Sequence, residues 1–310
     1  MAQGNCGKVH PFCHSVWPSA QIWTRDIDTL APIKLITDMA AMTGVSNEAA
    51  EKTTLRRFEG LLYEKVNIAG QTSEINQIGV YHRTRRLPGL QWCAACLRDD
   101  ENPYFRQHWR LALFSTCHIH GCVLSCLCPS CSKPAVPFRT EGQLCHHCGH
   151  DRRKIKKIPA RIDVLQFEKY LLDGLQDKGV YLEDSVNIHP YVYFAVIRRL
   201  QRLLVSNIRS DRLRAVINDH HNTRIKLKIC DKPKLPNTLT SKERHDVSFM
   251  LSKLLEDWPH KFIDYCRQSG MYWTWITKDL HPNDVPYLLA KIADLHLSEP
   301  RAIRTSLSGY

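Results

Sequence analysis

Four pairs of metal-ligand residues in a turn-rich centre, with apolar stripes at helical spacing on both sides, predict a mainly α fold with a central zinc-ribbon module holding two zinc sites. An N-terminal helix-turn-helix-like part and a C-terminal helical bundle are expected to flank that module. The expected boundaries are 1–88 for the N-terminal helical part, 89–151 for the tandem zinc-binding module and 152–310 for a basic C-terminal helical domain. A chain of 310 residues with 43% hydrophobic and 24% charged residues is long and apolar enough for two or three compact units, which excludes a disordered tail.

In the N-terminal part, Cys6, Phe12, Cys13, Trp17 and Trp23 precede the run Trp23-Thr24-Arg25-Asp26-Ile27-Asp28, too many large side chains for a loose tail. Pro32 suits a first helical turn, and Leu35, Ile36, Met39, Ala40 and Met42 share one helix face until Gly44 stops it. Ser46 is a cap for a second helix whose stripe is Leu55, Phe58, Leu61 and Leu62. Helix, glycine turn and helix outline a helix-turn-helix, with Lys52, Arg56 and Arg57 beside the later helix as candidate nucleic-acid contacts. The same outline serves as plain scaffold. Residues 67–89 read as a partly extended lead-in ending in the basic run Tyr81-His82-Arg83-Thr84-Arg85-Arg86.

The central segment carries Cys93/Cys96, Cys117/His120, Cys128/Cys131 and Cys145/Cys148, each pair separated by two residues. A C-x-x-C turn directs two side chains at one ion, and zinc in structural sites takes four such ligands, so four knuckles make two closed shells. Gly121 and Gly149 follow the second and fourth pairs, where a backbone with positive φ suits glycine. Sequential pairing gives one site from Cys93, Cys96, Cys117 and His120 and another from Cys128, Cys131, Cys145 and Cys148. Cross-braced pairing, as in RING domains, would interleave them. The distance from His120 to Cys128 favours the sequential form, while His108, His118, Cys122, Cys126, His146, His147 and His150 remain spare donors. Tyr104, Phe105, His108, Trp109, Leu111, Leu113 and Phe114 between the first two knuckles are core for a zinc-held module or a docking surface rimmed by Arg106 and Arg110.

Beyond the second site, Arg152, Arg153, Lys154, Lys156 and Lys157 form a basic linker closed by Pro159. Helices are expected from Asp163 to about Leu175 and from Pro190 to about Asn207. In the latter, Val192, Phe194, Val196, Leu200, Leu203 and Leu204 face a core while Arg198, Arg199 and Arg202 make a basic side. Arg152, Arg153, Lys154, Arg198, Arg199 and Arg202 join the candidate phosphate contacts, which would be salt-sensitive and largely blind to sequence. Ser241 to Asp257, Pro259 to Gly270 and Asp284 to about Leu297 complete the bundle, and Cys230 and Cys266 read as ordinary thiols.

The net charge of +12 points to nucleic acid or an acidic partner. Cysteines clustered in knuckles, with no leader-like start, fit a reducing compartment, and no apolar run is long enough to span a membrane. A cytoplasmic, bacterial protein is the expectation, with a homodimer compatible and oligomeric state open. A hydrolytic zinc enzyme would need an open metal position and a nearby carboxylate base, whereas Asp99, Asp100 and Glu101 read as a surface run. With no nucleophile, P-loop or paired-carboxylate signature, no catalytic residue is assigned and a non-enzyme is expected.

The run from Trp92 to Asp151, with Leu97 after the first knuckle, the Trp109-Arg110 pair, Cys117-His118-Ile119-His120-Gly121 and two further C-x-x-C knuckles, resembles the zinc region of the TniQ/TnsD family of transposition target-selection proteins. Trp23-Thr24-Arg25-Asp26-Ile27-Asp28 with Thr43-Gly44-Val45, and Asp257-Trp258-Pro259-His260-Lys261-Phe262, are similar to flanking motifs of that family; together these cover roughly residues 11 to 270. The resemblance implies a non-enzymatic adaptor that recognises a target, as DNA or as a DNA-bound CRISPR effector, and recruits an AAA+ transposition ATPase of the TnsC/TniB kind. It also implies two structural Zn2+ ions on the eight residues named above. Relative to the family pattern, the chain opens close to where an earlier helical stretch with a Ser-Trp-type motif would end, which would bear on ATPase recruitment, and it lacks the extended C-terminal DNA-binding region of long TnsD-type members. A zinc-dependent DNA-binding regulator without a transposition role and a RING-like interaction module are the alternative readings.

Overall fold

The computed structural model describes residues 8–18, 21–68, 70–80, 88–139, 143–182, 186–206, 210–227, 236–277, 280–281 and 284–297. Cys6, Cys230 and the run Tyr81-His82-Arg83-Thr84-Arg85-Arg86 lie outside the described residues.

The chain opens with α1 (Val9–Val16), α2 (Ile27–Leu30), α3 (Ile33–Thr43) and α4 (Asn47–Glu51). Trp17 turns inward after α1 and its indole N–H donates to Asp38 on α3 at 2.8 Å. The expected stop at Gly44 is present, with φ of 72°, and Ser46 caps α4 by accepting from the Ala49 amide at 3.1 Å. The second helix of the expected helix-turn-helix is not continuous. Thr53 and Thr54 donate their hydroxyls back to the carbonyls of Ala50 and Glu51 at 2.6 and 2.8 Å, α4 ends, and Leu55–Phe58 follow as a separate 3-10 turn capped by Thr54. Side chains that bond their own backbone compete with helix propagation, and two adjacent β-branched threonines do so here. The apolar residues of that stripe still point inward: Leu55, Phe58 and Leu62 are buried.

The centre contains α5 (Ala94–Asp99) and a two-residue antiparallel pair, β1 (Thr116–Cys117) with β2 (Cys122–Val123), registered Cys117 to Cys122. Beyond it come α6 (Ile162–Asp173), a π-type turn at Gly174–Lys178, the hairpin β3 (Val180–Leu182) with β4 (Val186–Ile188), α7 (Pro190–Leu204) and α8 (Ser210–His220). Helices α9 (Ser241–Leu255), α10 (His260–Ser269), α11 (Trp273–Ile276) and α12 (Tyr287–His296) complete the order. Helix α9 begins in a capping box in which Thr240 accepts from the Glu243 amide and the Glu243 carboxylate accepts from the Thr240 amide. It packs on α6, α7, α8 and α10 at the middle of the helical bundle. Trp258 of the Trp-Pro-aromatic motif stacks on Phe262 with ring centres 5.1 Å apart.

One apolar cluster crosses the expected domain boundaries. It joins Leu55, Phe58 and Leu62 to Leu111, Leu113 and Phe114 of the centre and to Leu171, Phe194, Leu200, Met250 and Phe262 of the bundle. Polar contacts follow the same path. The fully buried Glu168 of α6 accepts from the amides of Ser115 and Thr116 at 2.9 and 2.8 Å and from both their hydroxyls at 2.6 Å. Burial raises the pKa of this carboxyl, and the four donors oppose that rise by favouring the charged form. Ser241, first residue of α9, donates to the Gln91 side chain at 2.7 Å, and Gln91 in turn donates to the carbonyls of Trp109 and Phe114.

His245 of α9 sits in this seam, where its Nε2 accepts from the Arg161 amide at 3.3 Å. Burial, and secondarily the Arg161 charge, holds its pKa down to about 4. The unfolded chain therefore binds a proton that the folded chain refuses, so stability present above about pH 6.5 is lost as pH falls towards 4. Thermal unfolding followed across that window is expected to show a steeper acid-side loss of Tm for the wild-type chain than for His245→Gln.

Candidate metal centres

The first centre is assembled from α5 and the short β pair. Cys93 precedes α5 and Cys96 lies within it, so one helical turn brings the two sulfurs to one side; Cys117 ends β1, and the tight turn before β2 returns His120 to the same point. The exit of that turn is Gly121, whose φ is 58° and whose amide donates to the Cys117 carbonyl at 2.9 Å. The sulfurs of Cys96 and Cys117 are 3.5 Å apart, and Nδ1 of His120 lies 3.6, 3.2 and 3.7 Å from Cys93, Cys96 and Cys117. A tetrahedral zinc ion with bonds of about 2.3 Å to sulfur and about 2.05 Å to nitrogen has S–S edges of about 3.8 Å and S–N edges of about 3.6 Å. The donors therefore stand at the spacing of a metal shell, with the ring nitrogen Nδ1 as the imidazole donor.

The other ring nitrogen has a partner. His120 Nε2 lies 3.3 Å from the Asp99 carboxylate at the end of α5. A carboxylate that accepts from the second imidazole nitrogen fixes tautomer and ring orientation and raises ligand basicity. Asp99 reads in sequence as a surface acid; the only signal that could have singled it out is its position three residues after Cys96, on the same short helix.

Among the described residues the second centre is built from loops and isolated bridges, Leu127 to Pro134 and Leu144 to Asp151. Cys128 and Cys148 sulfurs are 3.7 Å apart and those of Cys131 and Cys145 3.8 Å apart, again tetrahedral edges. Both knuckles exit through left-handed backbone: Gly149 at φ 72° donates to the Cys145 carbonyl, and Ser132 at φ 55° donates to the Cys128 carbonyl. The His150 backbone N–H lowers the Cys148 thiol pKa to about 7, which favours the thiolate a metal needs.

Arg152 supplies a second test of fit. It is 1% exposed, its guanidinium lies over the Trp92 ring at 5.3 Å, and its Nε and Nη1 have no hydrogen-bond partner. Burial lowers its pKa, and the sulfurs of Cys145, Cys128 and Cys148 act in the opposite sense. A buried cation without neutral acceptors is costly, and four thiolates on a divalent ion leave a net charge of about −2 that offsets it. The cysteines and Arg152 together fit a metal–thiolate group at this site.

The two groups come from neighbouring pairs: Cys93, Cys96, Cys117 and His120 in one, Cys128, Cys131, Cys145 and Cys148 in the other, with all donor atoms of a group within 4.8 Å of one another. Each can hold one metal ion, a donor set compatible with zinc, and the interleaved arrangement of a RING domain is not the one formed. Among the spare donors, Cys126 accepts from the Ser241 amide at 3.4 Å, and Cys122 lies against the first centre.

The predicted phosphate contacts separate into two sets. Lys52, Arg57, Arg153, Lys154 and Arg202 are exposed. Lys52 pairs with Glu48 at 2.7 Å, Arg57 donates to Gln107 at 3.3 Å, and Arg153 pairs with Asp151 at 2.9 Å. Arg56, Arg198 and Arg199 are half-buried: Arg56 faces Glu59 at 3.5 Å, Arg198 binds the Leu62 carbonyl and Glu74, and Arg199 binds the Ile276 carbonyl. Arg198 and Arg199 make contacts within the fold, and Arg152 is buried against Trp92. Arg110, expected at the rim of a docking surface, is also internal: its guanidinium donates to Asp26, to Asp28 at 2.8 Å and to the Asn76 carbonyl at 3.2 Å. The Trp109-Arg110 pair and the Asp26-Ile27-Asp28 run are thus two halves of one contact.

Comparison with known proteins gives a match of residues 1–124 to the family model described as TniQ, so the chain carries a TniQ domain over those residues. No curated protein and no solved structure matches the chain. The matched span holds the Arg110 ion pairs and all four donors of the first centre, and the second centre lies beyond it.

Serine cannot replace a metal-bound thiolate, and structural zinc supplies folding free energy on the order of 10 kcal/mol in small zinc domains. Elemental analysis of purified Cys93→Ser and Cys128→Ser is expected to show one ion fewer per chain in each. The Cys93 variant should also lose near-ultraviolet dichroism from Trp92 and Trp109, which share a buried cluster with that centre. Unchanged metal content in both would remove the ligand assignment.

Proposed function

We propose that this TniQ-family chain is a non-enzymatic transposition adaptor that recognises a target, either a DNA site or a DNA-bound CRISPR effector, and recruits an AAA+ transposition ATPase. The observation that carries the reading is the TniQ match over residues 1–124. Two structural zinc ions, one in each four-donor group, belong to this proposal, with Cys93, Cys96, Cys117 and His120 on the first and Cys128, Cys131, Cys145 and Cys148 on the second. Both groups supply four protein donors, the number that closes a structural shell and leaves no position for a reactive water. Their contribution to function is mechanical: they hold a segment poor in helix and sheet in one shape, so that its surface is presented the same way to each partner.

The exposed cations Lys52, Arg57, Arg153, Lys154 and Arg202, with the net charge of +12, suit contact with phosphates. Such contact positions a protein on nucleic acid without reading its sequence. Target choice would then come from the partner complex or from surface shape, and the ATPase would add the energy-dependent step. The work is placed in the bacterial cytoplasm, where both DNA and reduced thiols are found.

Co-purification of the chain with the AAA+ ATPase encoded beside it, with and without double-stranded DNA over a salt series, tests the reading. Retention of the ATPase is the expected result. Loss of the ATPase together with salt-sensitive DNA binding by the chain alone would contradict recruitment and leave a zinc-dependent DNA-binding regulator.

A further inference from the structure

A further cysteine lies beside the four-donor group of the first centre. Cys122 opens β2 directly opposite Cys117 in the antiparallel register, and residues paired in this way project to the same face of the sheet. Its sulfur lies 3.6 Å from that of Cys93, close to the length of a tetrahedral S–S edge, and the residue is 3% exposed. His120, by contrast, has a side chain 17% exposed and belongs to the turn between the strands, not to a strand. The most accessible donor of the centre therefore neighbours a buried sulfur that a simple four-donor site does not require.

We propose that Cys122 is a reserve ligand of the first centre, able to take the place of His120 on the metal ion. The inference rests on the zinc reading of that centre. In the exchange the bond between His120 Nδ1 and the metal breaks, a bond from Cys122 Sγ forms, and the Cys122 thiol proton passes to the departing imidazole nitrogen. No redox partner is needed, and the shell goes from three thiolates and one imidazole to four thiolates. The exchange keeps the ion while the turn carrying His120 moves, so the hairpin and the Glu168 contacts behind it stay in place when a partner or solvent acts on that turn.

The test is zinc content of the full chain by elemental analysis, with cobalt substitution to count thiolates. Wild type, Cys122→Ser and His120→Ala are each expected to hold two ions, and the double variant His120→Ala/Cys122→Ser one. In the cobalt-loaded His120→Ala chain the sulfur-to-metal charge-transfer band should rise in the ratio of eight thiolates to the wild type's seven. One ion in His120→Ala, with two in wild type, overturns the proposal; fewer than two in wild type overturns the zinc reading beneath it. If His120→Ala does not fold, zinc release to a chelator decides between wild type and Cys122→Ser. Release of the first ion is then expected to be about tenfold faster in Cys122→Ser, the lower end of effects seen on removing a supporting group. Equal rates overturn the proposal.

Discussion

The constraint on which this structure depends is the closure of the central segment onto two four-donor groups. Between Cys93 and Cys148 the described residues offer one short helix, one two-residue strand pair and a few 3-10 turns. Most of the backbone hydrogen bonds there belong to turns and isolated bridges instead of long regular elements. On the proposed zinc reading, four ligands per ion would supply that regularity. Beside Cys117, Ser115 and Thr116 present adjacent N–H groups and hydroxyls, and a single buried carboxylate from α6 accepts them all. Glu168, Gln91 and Ser241 join the cysteine-rich segment to the bundle, and one apolar cluster runs through both.

Charge in this chain works inside as much as outside. Arg110 is nearly excluded from solvent and is offset by Asp26, Asp28 and a carbonyl. Arg152 stands in the same position relative to the second centre, its positive charge facing the sulfurs of three of its cysteines. A net charge of +12 therefore overstates the cationic surface available to a partner, because several of the arginines complete the interior. The TniQ match ends at residue 124, so the Arg110 contact lies within it and the Arg152 contact outside.

What was legible in the sequence followed from local chemistry. The helices beginning near Pro32, Asp163, Pro190, Ser241 and Pro259 lie where apolar spacing and caps place them, since both signals act within a few residues. The grouping of the eight residues into two clusters was legible because a two-residue gap is itself the geometry of a knuckle. One sequence pattern also serves two structures. An arginine on the edge of an apolar stripe looks the same whether it faces solvent or reaches a carbonyl across the fold, as Arg198 and Arg199 do. Asp99 gave no sign of its contact with His120, because that contact depends on how α5 meets the β turn. Helix α8 carries no signal the sequence reading uses, and the stripe from Leu55 to Leu62, expected on one helix after Ser46, is cut off from α4 by the threonine hydroxyls and is helical only as the 3-10 turn Leu55–Phe58, with Gly60 at φ 76° after it.

The same geometry bounds the functional account. The first group lies in a buried cluster, while in the second Cys131 is half-buried and Cys148 exposed, and each offers four donors compatible with a metal ion. The most direct measurement is X-ray absorption at the zinc edge of the purified chain, combined with its metal-to-protein ratio. The account requires two zinc ions per chain and a combined first shell of seven sulfurs and one nitrogen, with Zn–S bonds of about 2.3 Å. A shell containing oxygen, or a ratio near one, would contradict it.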